Sequence, residues 1–154
     1  MTTIVHIGAS KAASTSIQLK FQNLTDDFFY FGKNVDIEKF KKRGVGDVYL
    51  DKDCLALTKL LINVDEYAGI DPQLKQNIQK KVKLAESNNK IFFYSCEMIC
   101  ESSSIYHATK ILREIFPNDL KILYITRNQF ELINSLYNYQ GHKSAWLKSE
   151  NYKY

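Results

Sequence analysis

A stretch of small and hydroxyl-bearing residues at positions 8–16 has the composition of a loop that binds an anion. Small side chains let backbone N–H groups approach a negatively charged ligand closely, and a helix that begins within the stretch adds the positive end of its dipole. Lys11 supplies a mobile positive charge, and Ser14, Thr15 and Ser16 supply hydroxyl donors. The stretch predicts a phosphate-binding loop, although an N-capped helix without a ligand would carry the same serines.

The phosphate-binding loop lacks the G-x-x-x-x-G-K-[ST] spacing of a Walker A motif. Lys11 is followed by Ala12, so the hydroxyl that holds Mg²⁺ in ATP- and GTP-hydrolysing proteins is missing from that position. The pattern therefore disfavours a P-loop kinase, and we expect no metal at this site.

A carboxylate follows the apolar run at residues 91–95. Glu97 comes two residues after Ser95, at the point where a strand would end. A carboxylate beside a basic phosphate loop is well placed to take a proton from a hydroxyl group. Glu97 is therefore a candidate general base, with an ordinary polar residue at a strand end as the alternative.

One of the three arginines of the chain follows the apolar run at residues 120–126. Arg127 is followed by Asn128, and Ser135 would lie about two turns along a helix that begins there. The planar guanidinium fork suits a phosphate group, and a serine hydroxyl supplies a further hydrogen bond. A second phosphate site is therefore predicted, with a surface ion pair and a helix-facing serine as the alternative.

These three segments need elements that hold their ends together. The apolar runs at 3–7, 91–95 and 120–126 have the length of buried strands and are apolar on both faces. Alternation of such strands with amphipathic helices predicts a three-layer α/β fold, in which helices flank a parallel sheet and ligands bind at the carboxyl ends of its strands. Further predicted elements are a strand at 28–31 and helices at 14–24, 53–64, 72–88, 105–116 and 130–137.

Taken in order, the three segments resemble the sulfotransferase family that uses 3′-phosphoadenosine 5′-phosphosulfate (PAPS). The stretch 11–17 is similar to the family's loop K-[TS]-G-[TS]-[TS]-x-L, and Gln18 after it is similar to the bacterial carbohydrate-sulfotransferase version. The run 95–98 looks like the family's strand-end S-x-E. The 3′-phosphate motif is matched by a strand that ends in Arg127-Asn128, with Ser135 eight residues after the arginine and Tyr137 closing the S-x-Y pattern.

The resemblance implies a role for each matched residue. Lys11 would stabilise charge on the leaving phosphate during sulfuryl transfer, and Glu97 would be the general base on the acceptor hydroxyl. Arg127 and Ser135 would bind the 3′-phosphate. The 5′-phosphosulfate would be held by the loop residues Ser10, Lys11, Ala13, Ser14, Thr15 and Ser16.

The same resemblance implies a cofactor, a substrate class and a domain. PAPS is the donor and 3′-phosphoadenosine 5′-phosphate (PAP) the product, the acceptor is a carbohydrate or other small metabolite, and no metal is needed. Residues 1–140 are expected to form the PAPS-binding domain, with a sulfotransferase fold like that of P-loop nucleoside-triphosphate hydrolases. Residues 141–154 are expected to form a polar C-terminal tail.

Two departures from the family pattern leave an alternative open. Ala13 stands where the family has a glycine, and the resemblance covers most of 4–140, which is the N-terminal half to two-thirds of a typical member. We therefore expect a compact or truncated, incomplete version of the fold. The alternative to a sulfotransferase is a degenerate, non-catalytic module that binds PAP or PAPS.

Composition restricts the partners. The 154 residues carry 21 basic and 17 acidic side chains, and 18 of the basic ones are lysines spread along the chain, which disfavours nucleic acid. No apolar run is long enough to cross a membrane, and no basic segment precedes the first apolar run, so a cytoplasmic protein is expected. The three cysteines form no C-x-x-C pair and are expected to be reduced. An incomplete core favours a homo-oligomer. Residues 34–69 are a candidate part of the acceptor pocket, but they give no readable pattern of acceptor-binding residues.

Overall fold

The computed structural model describes residues 2–8, 14–35, 38, 48–49, 51–62, 69–96, 99, 105–126, 128 and 131. Within these residues, strands and helices alternate along the chain. The strands are β1 (Thr2–Gly8), β2 (Phe28–Phe31), β3 (Asn34–Val35), β4 (Val48–Tyr49), β5 (Ile91–Ser95) and β6 (Asp119–Ile125). The helices are α1 (Ser14–Asn23), α2 (Lys52–Ile62), α3 (Pro72–Ser87) and α4 (Ile105–Ile115).

The four longer strands form one parallel sheet in the order β2-β5-β1-β6. β1 lies inside the sheet, where His6 is opposite Ser95 of β5 and Gly8 is opposite Ile125 of β6. The predicted α/β class with a parallel sheet is confirmed, and the predicted strands and helices that fall on described residues match within a few residues at each end. The predicted helix at 130–137 lies outside the described residues except for Glu131, and the predicted tail at 141–154 lies outside them entirely.

One face of the sheet carries the main hydrophobic core. Because side chains alternate along a strand, Val5, Phe92 and Tyr94 share this face, and all three are fully buried. The helices α2, α3 and α4 cover it with apolar side chains at helical spacing. Their fully buried members include Leu57, Leu61, Ile78, Ile111 and Ile115.

The opposite face is covered by α1 through an aromatic layer. Phe21 of α1 stacks on Phe93 of β5 with ring centroids 3.8 Å apart, and Phe28 meets Phe21 edge to face at 4.9 Å. Rings in these arrangements attract each other beyond their burial. Helices therefore lie on both faces of the sheet, as predicted.

Local sequence fixes the boundaries of α3. The carboxylate of Asp71 accepts hydrogen bonds from the backbone N–H groups of Gln73 and Leu74, and Pro72 occupies the first turn, where its missing N–H costs nothing. Asn88 closes the helix and Asn89 follows with a φ of 55°, a conformation that asparagine tolerates better than most residues. Both ends agree with the prediction.

The sheet differs from the prediction at β6 and after β2. Ile122 and Tyr124 of β6 were expected to be buried but are 51% and 56% exposed, because β6 pairs only with β1 among the described strands. β3 and β4 form a small antiparallel ribbon that the polar sequence did not indicate. Among the helices in the described part of the chain, none combines the length and apolar character that crossing a membrane requires.

Candidate functional site

The carboxyl ends of three adjacent strands lie together at one end of the sheet. β1 is hydrogen-bonded to β5 on one side and to β6 on the other, and the three run in the same direction. Neighbouring strands are about 4.8 Å apart. We call the region at Gly8, Ser95 and Ile125 the carboxyl end of the sheet. The segments that carry Lys11, Glu97 and Arg127 all leave from this end.

The N-terminus of α1 belongs to the same region. α1 begins at Ser14, and only residues 9–13 separate it from Gly8 at the end of β1. The backbone N–H groups of its first turn are not used within the helix and carry partial positive charge. The helix start that the anion-loop prediction requires is therefore present.

The end of β1 leaves little room for a side chain at Gly8, because β6 runs close beside it. A Cβ at this position would lie 3.0 Å from the carbonyl oxygen of Ile125 and 3.7 Å from Nε2 of His6. The contact with a backbone oxygen is hard to relieve, because moving it would shift β6. Glycine at the end of β1 thus keeps the two strand ends side by side.

The predicted site residues are only partly described. Ser14 and Thr15 form the first turn of α1, and Ser16 lies in the same turn with an exposed side chain. The other predicted residues lie outside the described residues: Ser10, Lys11, Ala13, Glu97, Arg127 and Ser135. Their roles stay predictions, and the described strand ends define only where their segments begin.

A buried group of polar side chains next to these strand ends was missed by sequence reasoning. Nδ1 of His6 lies 2.9 Å from Oγ of Ser95, and the side-chain amide of Gln18 donates to the same oxygen over a longer 3.4 Å. All three side chains are buried, and His6 also stacks on Phe93. We call His6, Ser95 and Gln18 the inter-strand polar cluster. Ser95 and Gln18 stand in the motifs of the resemblance, but the sequence does not indicate their contact with His6, a histidine inside an otherwise apolar, β-branched run.

The opposite face of β5 carries a second buried polar group. The hydroxyl groups of Thr58 and Tyr94 are 3.1 Å apart beneath α2. Burial, together with the neighbouring Cys96 thiol, raises the pKa of Cys54 to about 12, and burial also raises the pKa of Cys96. Both cysteines are buried free thiols. Raised pKa values keep them as thiols, which are poor nucleophiles and poor metal ligands.

A charged cluster joins the start of α2 to α3. Nζ of Lys81 lies 3.0 Å from the carboxylate of Asp51 and 3.4 Å from that of Asp53. Asp51 also accepts hydrogen bonds from the backbone N–H groups of Asp53 and Cys54, as an N-cap does. Burial alone would raise the pKa of Asp51, but Lys81 and these N–H groups lower it overall. These contacts indicate a structural role.

Comparison of the chain with protein-family models, with curated proteins and with solved structures finds no match in any of the three. Within the described residues, no group of three or more histidine, cysteine, aspartate or glutamate side chains is arranged to hold a metal ion. The carboxyl end of the sheet is therefore the candidate functional site. Adjacent strand ends and a helix N-terminus favour binding of an anionic ligand at this position.

Proposed function

We propose that the chain binds PAPS at the carboxyl end of the sheet and transfers its sulfuryl group to a hydroxyl of a carbohydrate or small metabolite. The observation that carries the proposal is the adjacency of β5, β1 and β6. The segments with the three predicted motifs follow three neighbouring parallel strands, so they begin close enough together to contribute to one site of nucleotide size. Motifs on distant or antiparallel strands would not support a shared site.

The proposed reaction needs little covalent chemistry from the protein. The acceptor oxygen attacks sulfur, the bond between sulfur and the bridging phosphate oxygen breaks, and PAP leaves with that electron pair. Glu97 takes the proton of the acceptor hydroxyl, and Lys11 with the N–H groups of α1 stabilises the charge that develops on the leaving phosphate. Positioning and electrostatic stabilisation supply most of the rate enhancement in this mechanism.

The 3′-phosphate distinguishes this proposal from a site for ordinary adenine nucleotides. Arg127 and Ser135 are assigned to that phosphate by the resemblance, and Arg127 follows β6, the strand next to β1. A guanidinium that forms two hydrogen bonds to a phosphate contributes strongly to affinity. The site should therefore discriminate PAP from ADP.

Calorimetric titration with PAP, ADP, and ATP plus Mg²⁺ tests the proposal. We expect micromolar binding of PAP, at least tenfold weaker binding of ADP, and loss of that preference in Arg127→Ala. Arg113→Ala is the matched control, because Arg113 is an exposed arginine in the last turn of α4, at the other end of the sheet. Tight Mg²⁺-dependent binding of ATP with no response to PAP would exclude the proposal.

Ala13 in place of the family glycine favours one second candidate, a non-catalytic PAP-binding module on the same scaffold. A methyl group at this position would restrict how closely the phosphate approaches the backbone. Turnover of labelled PAPS over a broad panel of hydroxyl acceptors separates the two candidates. PAP binding without turnover on any acceptor would identify the module.

A further inference from the structure

The inter-strand polar cluster joins the three elements from which the proposed site is built. His6 lies two residues before the end of β1, Ser95 is the last residue of β5, and Gln18 lies one turn into α1. The hydroxyl of Ser95 is the shared centre, since it contacts both other side chains. A backbone hydrogen bond of 3.0 Å from the N–H of Cys96 to the carbonyl of His6 continues the β1–β5 pairing beyond the strand end.

These polar side chains are buried among aromatic residues. His6 is completely buried, Ser95 and Gln18 are 2% exposed, and the surrounding layer is aromatic, with Phe21 and Phe93 beside them. Burying polar side chains costs free energy unless they are hydrogen-bonded, and apolar residues of similar size would pack here without that cost. Hydrogen bonds, however, fix direction and distance, which apolar contacts do not. The cluster therefore specifies the relative position of β1, β5 and α1 more narrowly than packing alone.

The ends that the cluster fixes are the ends that carry the predicted chemistry. The segment with Lys11 begins after Gly8, and Glu97 follows Ser95 by two residues. The rate of group transfer is sensitive to displacements of the reacting groups of about 1 Å. Hydrogen bonds that fix where the two segments start therefore affect the rate of sulfuryl transfer. Among the described residues, no aspartate, glutamate, lysine or arginine takes part in the two hydrogen bonds to the Ser95 hydroxyl.

We propose that His6, Ser95 and Gln18 are positioning residues that hold the phosphate-binding loop after β1 in register with the segment after β5 that carries Glu97. The consequence for PAPS rests on the proposed function, whereas the register itself is a property of the free protein. None of the three residues is assigned a contact with the ligand. Their effect on binding is exerted through the two segments that they join.

The test compares the removal of a buried hydroxyl at the two ends of the β1–β5 pair. Ser95→Ala removes the centre of the cluster, and Thr3→Val removes a buried hydroxyl near the start of β1, where Thr3 is opposite Phe92, with almost no change in volume. Gln18→Leu provides a second variant that leaves β5 unchanged. Thermal unfolding midpoints identify conditions at which the variants are equally stable.

Under those conditions, hydrogen exchange of the Cys96 amide is the first readout, since this N–H bonds to His6 and needs no ligand. We expect its protection factor to fall about tenfold in Ser95→Ala and in Gln18→Leu, and to change less than twofold in Thr3→Val. The affinity for PAP is the second readout, with the same pattern expected. Equal effects in Ser95→Ala and Thr3→Val, or no effect in either, would overturn the positioning role.

The two readouts keep the two proposals apart. Failure of the wild-type protein to bind PAP overturns the proposed function. The difference in Cys96 amide exchange between the variants then still decides whether the cluster holds β1 and β5 in register. Intact PAP binding without the exchange contrast overturns the positioning role alone.

Discussion

Gly8 lies opposite Ile125 at the ends of two neighbouring parallel strands, so close that a Cβ on Gly8 would be 3.0 Å from the Ile125 carbonyl oxygen. The chain leaves both strands at this point, toward the predicted phosphate-binding loop on one side and toward Arg127 on the other. β5 ends two positions earlier in the register, where Ser95 is opposite His6. Three segments of the sequence, of which the outer two follow strand ends 117 positions apart, therefore start within a few strand widths of each other.

Replacement of Lys11 tests charge stabilisation on the leaving phosphate. We expect Lys11→Ala to lower kcat for sulfuryl transfer by about 10² to 10³, the range observed when one donor to a developing negative charge is removed. Lys20→Ala is the control, because Lys20 is an exposed lysine in the last turn of α1, away from the helix start. Steady-state kinetics with labelled PAPS measures both. Equal rates in the two variants would remove Lys11 from the mechanism.

Replacement of Glu97 tests the assigned general base. Glu97→Gln keeps the size of the side chain but cannot accept the proton, so kcat should fall about 10² to 10⁴ while the affinity for PAP stays within twofold of wild type. Parallel kinetics and calorimetry separate these effects. A variant that retains wild-type kcat, or that loses PAP binding as well, would contradict the assignment.

The cysteines provide a test of the core on the opposite face. With the pKa of Cys54 raised to about 12, its thiolate fraction at pH 8 is about 10⁻⁴, far below that of a free thiol. In a Cys100→Ser background, we expect iodoacetamide at pH 8 to leave Cys54 and Cys96 unmodified in the folded protein and to modify both after unfolding. Mass spectrometry reads the result. Labelling of either residue at the rate of a free thiol would show that this face is open.

The ion pair between α2 and α3 predicts how stability depends on pH. Burial works against the charge of Lys81, but hydrogen bonds to Asp51 and Asp53 raise its pKa overall, and Lys81 in turn lowers the pKa of Asp51. The contribution of a lowered aspartate is lost as pH falls below about 4, and that of a raised lysine as pH rises above about 10.5. Lys81→Met should cost about 1 kcal/mol of unfolding free energy between these limits.

Unfolding by urea at several pH values measures this difference. The gap between wild type and Lys81→Met should be constant from about pH 5 to pH 9 and shrink below about pH 4. Lys80→Met, at the exposed neighbouring position of α3, should show neither the cost nor its pH dependence. A cost in Lys81→Met that persists unchanged at pH 3 would contradict the electrostatic explanation.

Local patterns in the sequence were sufficient for most of the fold. Asp71 and Pro72 marked the start of α3, and the apolar run at 91–95 marked β5, because caps and strand composition depend on near neighbours. The exposure of Ile122 and Tyr124 was not predictable, since an apolar run does not say whether its strand has neighbours on both sides. The β3–β4 ribbon was missed because two-residue strands leave almost no composition signal.

The candidate site was likewise only partly predictable from the sequence. The start of α1 at Ser14 followed from the small residues before it. The contacts among His6, Ser95 and Gln18 could not be predicted in this way, because they depend on the strand order. Ser95 is 89 positions from His6 and 77 positions from Gln18 in the sequence. A sequence pattern identifies each polar residue separately but not the register that joins them.

Titration of the isotopically labelled protein with PAP, followed by NMR at single amides, tests the central claim most directly. The account predicts saturable shifts at the carboxyl end of the sheet, in the amides of Gly8, Cys96 and Thr126, with little change at Thr2, Ile91 and Asp119 at the starts of the same strands. Shifts confined to the starts of the strands, or none at millimolar PAP, would contradict it.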